Sequence, residues 1–408
     1  MVMKRIFTNA RLLLPGEEQP REGSLIIDGE RIDSATDVAS HEGAEEIDCQ
    51  GRLLAPGIVD LGVFAIDKPA FRFGGITRAA LMPDQSPVLD LPAMIKQRAA
   101  EGKPDLWSHP IAAATIGLEG THMAEIGLMK RSGAKAVATG RQWIADSGTM
   151  LRLLQYCMAL DLTLIVHSED AGLTQGAVAT HSETATRLGL ASASPAAEAI
   201  SVARDIALVR ETGAPVHFRQ VTTQDGLDLV RAAKRENLPV TCGITPAHLL
   251  LSDIAISDFR TFTRLSPPLR SEDNRLACLE AVKDGTIDVI ASGHDPRGPE
   301  DKRLPYAEAA PGMAGAETLL ALSLTLVRDG TVSIGRLFEL LSANPAKILG
   351  VEAGLLQAGY EADFILIDED SPWQVDTRKM AAAAGNTPFD GLPVQGRVTA
   401  IYKGGRAY

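Results

Sequence analysis

Residues 53–87 read LLAPGIVDLGVFAIDKPAFRFGGITRAALMPDQSP, and this stretch decides the fold. An apolar run from Leu53 to Val59 ends in Asp60-Leu61-Gly62-Val63-Phe64, and after a loop a second run, Ile76 to Met82, ends in Pro83-Asp84. Short apolar runs of this kind read as buried strands. Two of them in succession have the layout of a barrel whose reactive groups sit at the strand ends. Residues two apart on a strand share a face, so Gly62 and Phe64 form a matched pair there. Neither can coordinate a metal.

Working outward, residues 54–345 alternate short apolar runs with helical patterns. The runs are APGIVDL, ITRAALMP, SHPIAAATI, AKAVATG, LTLIVHSED, APVHFRQV, LPVTCGIT and IDVIASGHD, and segments such as TMLRLLQYCMALD and GLDLVRAAKREN lie between them. Strands alternating with helices in this way predict a (β/α)8 barrel. No glycine-rich phosphate loop opens a helix after the first strand, which argues against a doubly wound nucleotide fold. Residues 1–53 and 346–408 alternate apolar and polar positions, with turns at Asp28-Gly29-Glu30-Arg31 and Gln50-Gly51. They predict antiparallel hairpins and a small discontinuous β-sandwich built from both termini.

The bulk properties narrow the function. Hydrophobic content is 45% and charged content 23%, ordinary for a globular chain with a sizeable core. A formal charge of −12 argues against nucleic acid or an anionic membrane as partner. No apolar run is long enough for a membrane span and no signal peptide is read at the N-terminus. Cys49, Cys157, Cys242 and Cys278 are scattered and read as buried thiols, so a cytoplasmic protein is expected.

The frame VDLxVx after APG resembles the first-strand signature of the amidohydrolase superfamily, in particular its dihydroorotase (cyclic amidohydrolase) branch. The likeness runs through GGITRAALMPDQSP, LTLIVHSEDAGL, APVHFRQVTTQDGLDLVRAAK, SPPLR, ANPAKILGV and GYEADFILID in the family's order. It implies the barrel, and a site in which divalent metal makes a hydroxide and an aspartate moves protons. The positions implied to carry that chemistry have changed. The two histidines of the first strand are Gly62 and Phe64, and the arginine that follows them is Ile66. The asparagine after Met-Pro is Asp84, the bridging acid falls at Thr139-Gly140, the second histidine ligand is Gln220, and the aspartate is Gly293. Only His167 keeps its ligand, whereas a catalytic zinc needs about three.

Rescue by neighbours finds little support. His217 lies an odd offset from Gln220 and faces away, packed between barrel and helices. His294 and Asp295 lie just past a strand end and are placed in the vestigial pocket. Glu169 and Asp170 more plausibly orient a loop than act as an acid–base pair. Cys157 and Cys242 lack an activating partner, and no GxSxG is present.

Three readings result. The resemblance implies a non-catalytic dihydroorotase homologue that associates with aspartate transcarbamoylase, needs no metal, and could also form a homo-oligomer. The second is a zinc-dependent cyclic amidohydrolase with a site rebuilt from His167, His294, Asp295 and Glu169. The third is a sensor of a pyrimidine intermediate in a pocket made more apolar by Phe64 and Ile66.

Overall fold

A computed structural model of the protein describes residues 4–36 and 43–408. Parts of the first-domain expectation, residues 1–3 and 37–42, lie outside the described residues. Five strands precede the barrel: β1 (Arg5–Leu12), β2 (Arg21–Asp28), β3 (Arg31–Thr36), β4 (Glu45–Asp48) and β5 (Leu53–Pro56). The Asp28–Arg31 turn closes the β2–β3 hairpin as expected, with Gly29 at φ +60°. The Gln50-Gly51 turn does something else. β4 and β5 both run parallel to β1, so this turn kinks the chain along one ladder instead of reversing it. Gln50 and Gly51 take φ of +57° and +72°. Pairing continues on either side, from Cys49 N to Thr8 O and from Arg11 N to Arg52 O. A positive-φ pair fixes local geometry, whereas reversal depends on what the next strand finds to pair with.

The barrel is built from β6 (Ile58–Val63), β7 (Ile76–Leu81), β8 (Trp107–Pro110) with β9 (Ala112–Ala113), β10 (Val137–Ala138) and β11 (Leu164–Val166). A small parallel pair outside it, β12 (Ala179–Thr180) and β13 (Ser192–Ala193), precedes β14 (Val216–Phe218), β15 (Val240–Ile244) and β16 (Val289–Ile290). β8 and β9 are one barrel strand broken at Ile111, β8 pairing with β7 and β9 with β10. The eight barrel strands are all parallel. The seam between β16 and β6 is closed by Phe64 N donating to His294 O (2.8 Å) and Ser292 N donating to Asp60 Oδ1 (2.9 Å). Ser292 Oγ also donates to Asp60. Burial pushes the Asp60 carboxyl up, against those two donors.

The interior holds Val59, Leu61, Phe64, Met82, Ile165 and Val289, and is closed from beneath by Ala346, Leu349 and Ala353. Val63 instead belongs to the core between barrel and helices. Strict alternation would not bring Leu61 and Phe64 to one side. The register slips between Leu61 and Val63, and Gly62 takes φ +107°, a conformation glycine adopts without a steric penalty.

Both chain ends then meet. β17 (Phe364–Gln374), β18 (Pro393–Lys403) and β19 (Arg406–Ala407) complete an eight-stranded sheet in the order β19-β18-β17-β5-β1-β2-β3, with β4 beside β1. Phe7, Phe364 and Tyr402 meet at its centre, with ring centroids 4.6–4.9 Å apart. Sheet and barrel are joined by a charged knot. Arg78 of β7 and Lys403 of β18 share Glu361 and Asp363, and Trp107 Nε1 donates to Glu361 (2.8 Å). The 375–392 segment between β17 and β18 reaches back to the barrel, where Val375 and Phe389 pack with Leu265, Met313 and Leu322.

Candidate functional site at the barrel mouth

The C-terminal strand ends surround a small cavity of about 30 Å³, room for about one or two waters and far below an ordinary ligand site. Phe64, Gln220, Gly293 and Asp295 line it. Arg141 and Arg219, absent from the sequence expectation, line it too.

These arginines fill the mouth. The Arg219 guanidinium lies 3.4 Å from His167 Nδ1 and 5.3 Å from the Phe64 ring centroid, and its side chain passes 3.7 Å from where a Cβ on Gly62 would stand. Arg141 stacks on the same ring at 3.8 Å and donates to Asp295 Oδ2 at 2.6 Å. Such stacking suits the flat, weakly hydrated guanidinium. Burial first, and then Arg141's charge, push Arg219 down to about 10, which leaves it cationic at neutral pH. Asp84, Glu169 and Asp295 supply the balancing charge.

The other predicted residues serve the scaffold. Asp84 Oδ1 accepts from Arg141 N (2.9 Å) and sits where a Cβ on Gly140 would fall, which pins the turn carrying Arg141. Thr139 Oγ1 accepts from His167 N (3.1 Å). Two residues placed in the pocket from sequence lie elsewhere. Ile66 packs against the main core, because the loop after β6 turns down toward the helix Lys68–Gly74. His294 is fully buried and turned away from the cavity. Its Nδ1 accepts from Ala316 N, and its Nε2 stands 3.4 Å from Asp67 Oδ2, outside hydrogen-bond geometry.

His167 is held from its other side by Glu169, 3.5 Å from Nε2. Glu169 in turn accepts from Arg270 Nη2 at 2.7 Å. Asp170 caps the helix Ala171–Thr174, accepting from Gly172 N and Leu173 N. His217 donates to or accepts from Thr241 Oγ1 (2.9 Å) inside the wall, and burial pushes its ring down to about 3. All four cysteines are free and buried.

The metal that the resemblance implies does not fit this donor set. Gly62, Phe64 and Gly140 offer no side-chain donor, and Gln220 offers only an amide whose Oε1 is buried without a partner. The Arg219 guanidinium stands between Phe64 and His167, and its methylenes face Gly62. Among the described residues, no group of three or more His, Cys, Asp or Glu side chains converges closely enough to hold a metal ion.

Glu169 sets an acid-stability expectation. Burial would raise its carboxyl, but Arg270 and His167 outweigh that and hold it at about 2, against an ordinary 4.5. A depressed folded value contributes stability that is present above the unfolded value and lost as pH falls through the folded one. Glu169→Gln is therefore expected to flatten the loss of stability between pH 4.5 and 2 by roughly 3 kcal/mol, read from urea midpoints against pH. Identical profiles for the two proteins would refute the role assigned to Glu169.

The Amidohydrolase family profile matches residues 81–408. A dihydroorotase of Acetivibrio thermocellus is 35% identical over 390 residues, 92% of this chain and 91% of that protein. A dihydroorotase of Pelotomaculum thermopropionicum is 38% identical over 397 residues, 94% and 92% of the two chains. Among solved structures, the L-hydantoinase (dihydropyrimidinase) of Arthrobacter aurescens superposes with a TM-score of 0.89 at 24% identity, covering 99% of this chain and 96% of that one. That superposition supports the barrel and its β-rich partner domain. The chain belongs to the amidohydrolase family, on its dihydroorotase-like side.

Proposed function

We propose that the protein is a dihydroorotase-like component of pyrimidine biosynthesis that no longer hydrolyses a cyclic amide and acts as an assembly partner of aspartate transcarbamoylase. The observation that carries the loss of hydrolysis is the Arg219 side chain, its guanidinium against His167 and its methylenes against Gly62, where the family resemblance implies ligands. The partner rests on the resemblance, and preservation of the scaffold around a changed mouth supports a role played by surfaces. Four buried free thiols suit a cytoplasmic setting. Among the described residues no helix is long and apolar enough to cross a membrane.

Protein purified without chelators is expected to carry no stoichiometric zinc and to turn over neither dihydroorotate nor carbamoyl aspartate. Mixed with aspartate transcarbamoylase of the same organism, it is expected to co-elute as one complex in size-exclusion chromatography with light scattering. Failure to associate would remove the partner. A second reading, a cyclic amidohydrolase with a rebuilt site, is favoured by the name its relatives share at 35–38% identity. It needs His294 and Asp295 to leave Asp67 and Arg141 and converge on His167. Stoichiometric zinc, with turnover abolished by His167→Ala, would decide for it.

A further inference from the structure

Beside the mouth lies a separate cavity of about 690 Å³, within the roughly 300–1,000 Å³ of small-molecule sites. It opens between residues 259–262, 297–304 and 377–386. Its wall carries Arg260, Arg297, Lys302 and Arg303 and no Asp or Glu. In a chain of net charge −12, that is a marked local reversal of sign. Cations gathered around a concavity raise the local potential and concentrate anions there.

Three of the four cations lack a carboxylate partner among the described residues. Arg303 is exposed and makes no side-chain ion pair or hydrogen bond there. Arg260 gives Nη2 to the Pro388 carbonyl (3.0 Å), while its Nε is buried without a partner. Lys302 is 4% exposed and donates to the carbonyls of Thr261, Arg264 and Ala310. Only Arg297 is compensated, by Asp295 at 3.0 Å and Asp301 at 3.6 Å. Phe259, 45% exposed, and Phe262 add flat apolar surface to the same wall.

We propose that this cavity binds a small organic phosphate, an ester carrying a flat ring, with Arg260 and Arg303 on the phosphate and the phenylalanines against the ring. Guanidinium forks match phosphate oxygens two at a time, and several uncompensated cations call for a dianion rather than a single carboxylate. The inference does not depend on whether the barrel mouth hydrolyses anything.

Calorimetry on the full chain at low salt tests it, with uridine and adenosine monophosphates as probes. Saturable one-to-one binding is expected, at least ten-fold weaker for the nucleosides without phosphate. Arg303→Glu, at an exposed position, should leave the melting temperature unchanged and weaken the nucleotides at least ten-fold, and Phe259→Ala should weaken them as well. Absence of saturable binding, equal affinity for nucleoside and nucleotide, or an affinity untouched by Arg303→Glu would each overturn the proposal. Binding of polyglutamate that Arg303→Glu abolishes, with none of the nucleotides, would assign the cavity to an acidic polypeptide instead.

Discussion

Replacing Arg270 by Met is expected to remove about 3–5 kcal/mol of stability, the cost of stripping the partner from buried charge. The Arg270 side chain is 3% exposed and stands between two buried carboxylates, 2.7 Å from Glu169 and 3.4 Å from Glu198. Its Nε also donates to Thr222 Oγ1 at 2.9 Å. Glu198 keeps the backbone and hydroxyl donors of Thr222 and Thr223 when the arginine goes. Glu169 keeps only His167, so most of the loss falls on it. Urea denaturation should show a lower midpoint with an unchanged slope. Adding Glu169→Gln to Arg270→Met should recover part of the loss, because an uncharged amide is cheaper to bury than a lone carboxylate. A loss below about 1 kcal/mol would place Arg270 with ordinary surface pairs instead.

The second large effect is expected at the joint between the domains. Asp363 accepts from Arg78 Nε, Lys403 Nζ and Gly404 N, each at 2.9 Å. The Lys403 side chain is 1% exposed and that of Arg78 is 6% exposed. Asp363→Ala leaves two buried cations to share Glu361 and orphans a backbone donor. A loss of about 3–5 kcal/mol is expected, with faster hydrogen exchange in β17, β18 and β7. The same loss with exchange unchanged in β7 would confine the effect to the sheet and detach it from the domain joint.

These sites differ in how legible they were. The eight strands, the two strand-rich ends and the buried cysteines followed from local patterns, since strand periodicity and turn residues are short-range properties. Gly62 and Phe64 offer no side-chain metal donor wherever they point, Gln220 offers only a neutral amide and Gly293 no carboxylate, so each could be read from residue type alone. Arg141 and Arg219 were not legible, although each adjoins a position where the family resemblance implies a ligand, Gly140 and Gln220. Alternation sends Arg219 to the face opposite Gln220. β14 ends at Phe218, and beyond a strand end the rule lapses, so both residues line the cavity. A cation beside a position where the resemblance implies a ligand, twice, was the available signal.

The sequence by itself determined the barrel, the sheet built from both ends and the residue types that stand at the mouth, because local pattern and composition at fixed positions are enough for each. Only the tertiary structure decided how those residues and their neighbours fill the mouth. Arg219 follows the end of β14, His167 that of β11, Phe64 that of β6, and Asp295 lies in the loop after β16. Their contacts span long separations in sequence that no local pattern encodes. The structure alone also turned His294 and Ile66 away from the mouth and gathered Arg260 and Arg303 into one cavity wall. Direction at a strand end and proximity between distant loops are set by packing of the whole chain, not by neighbours in sequence.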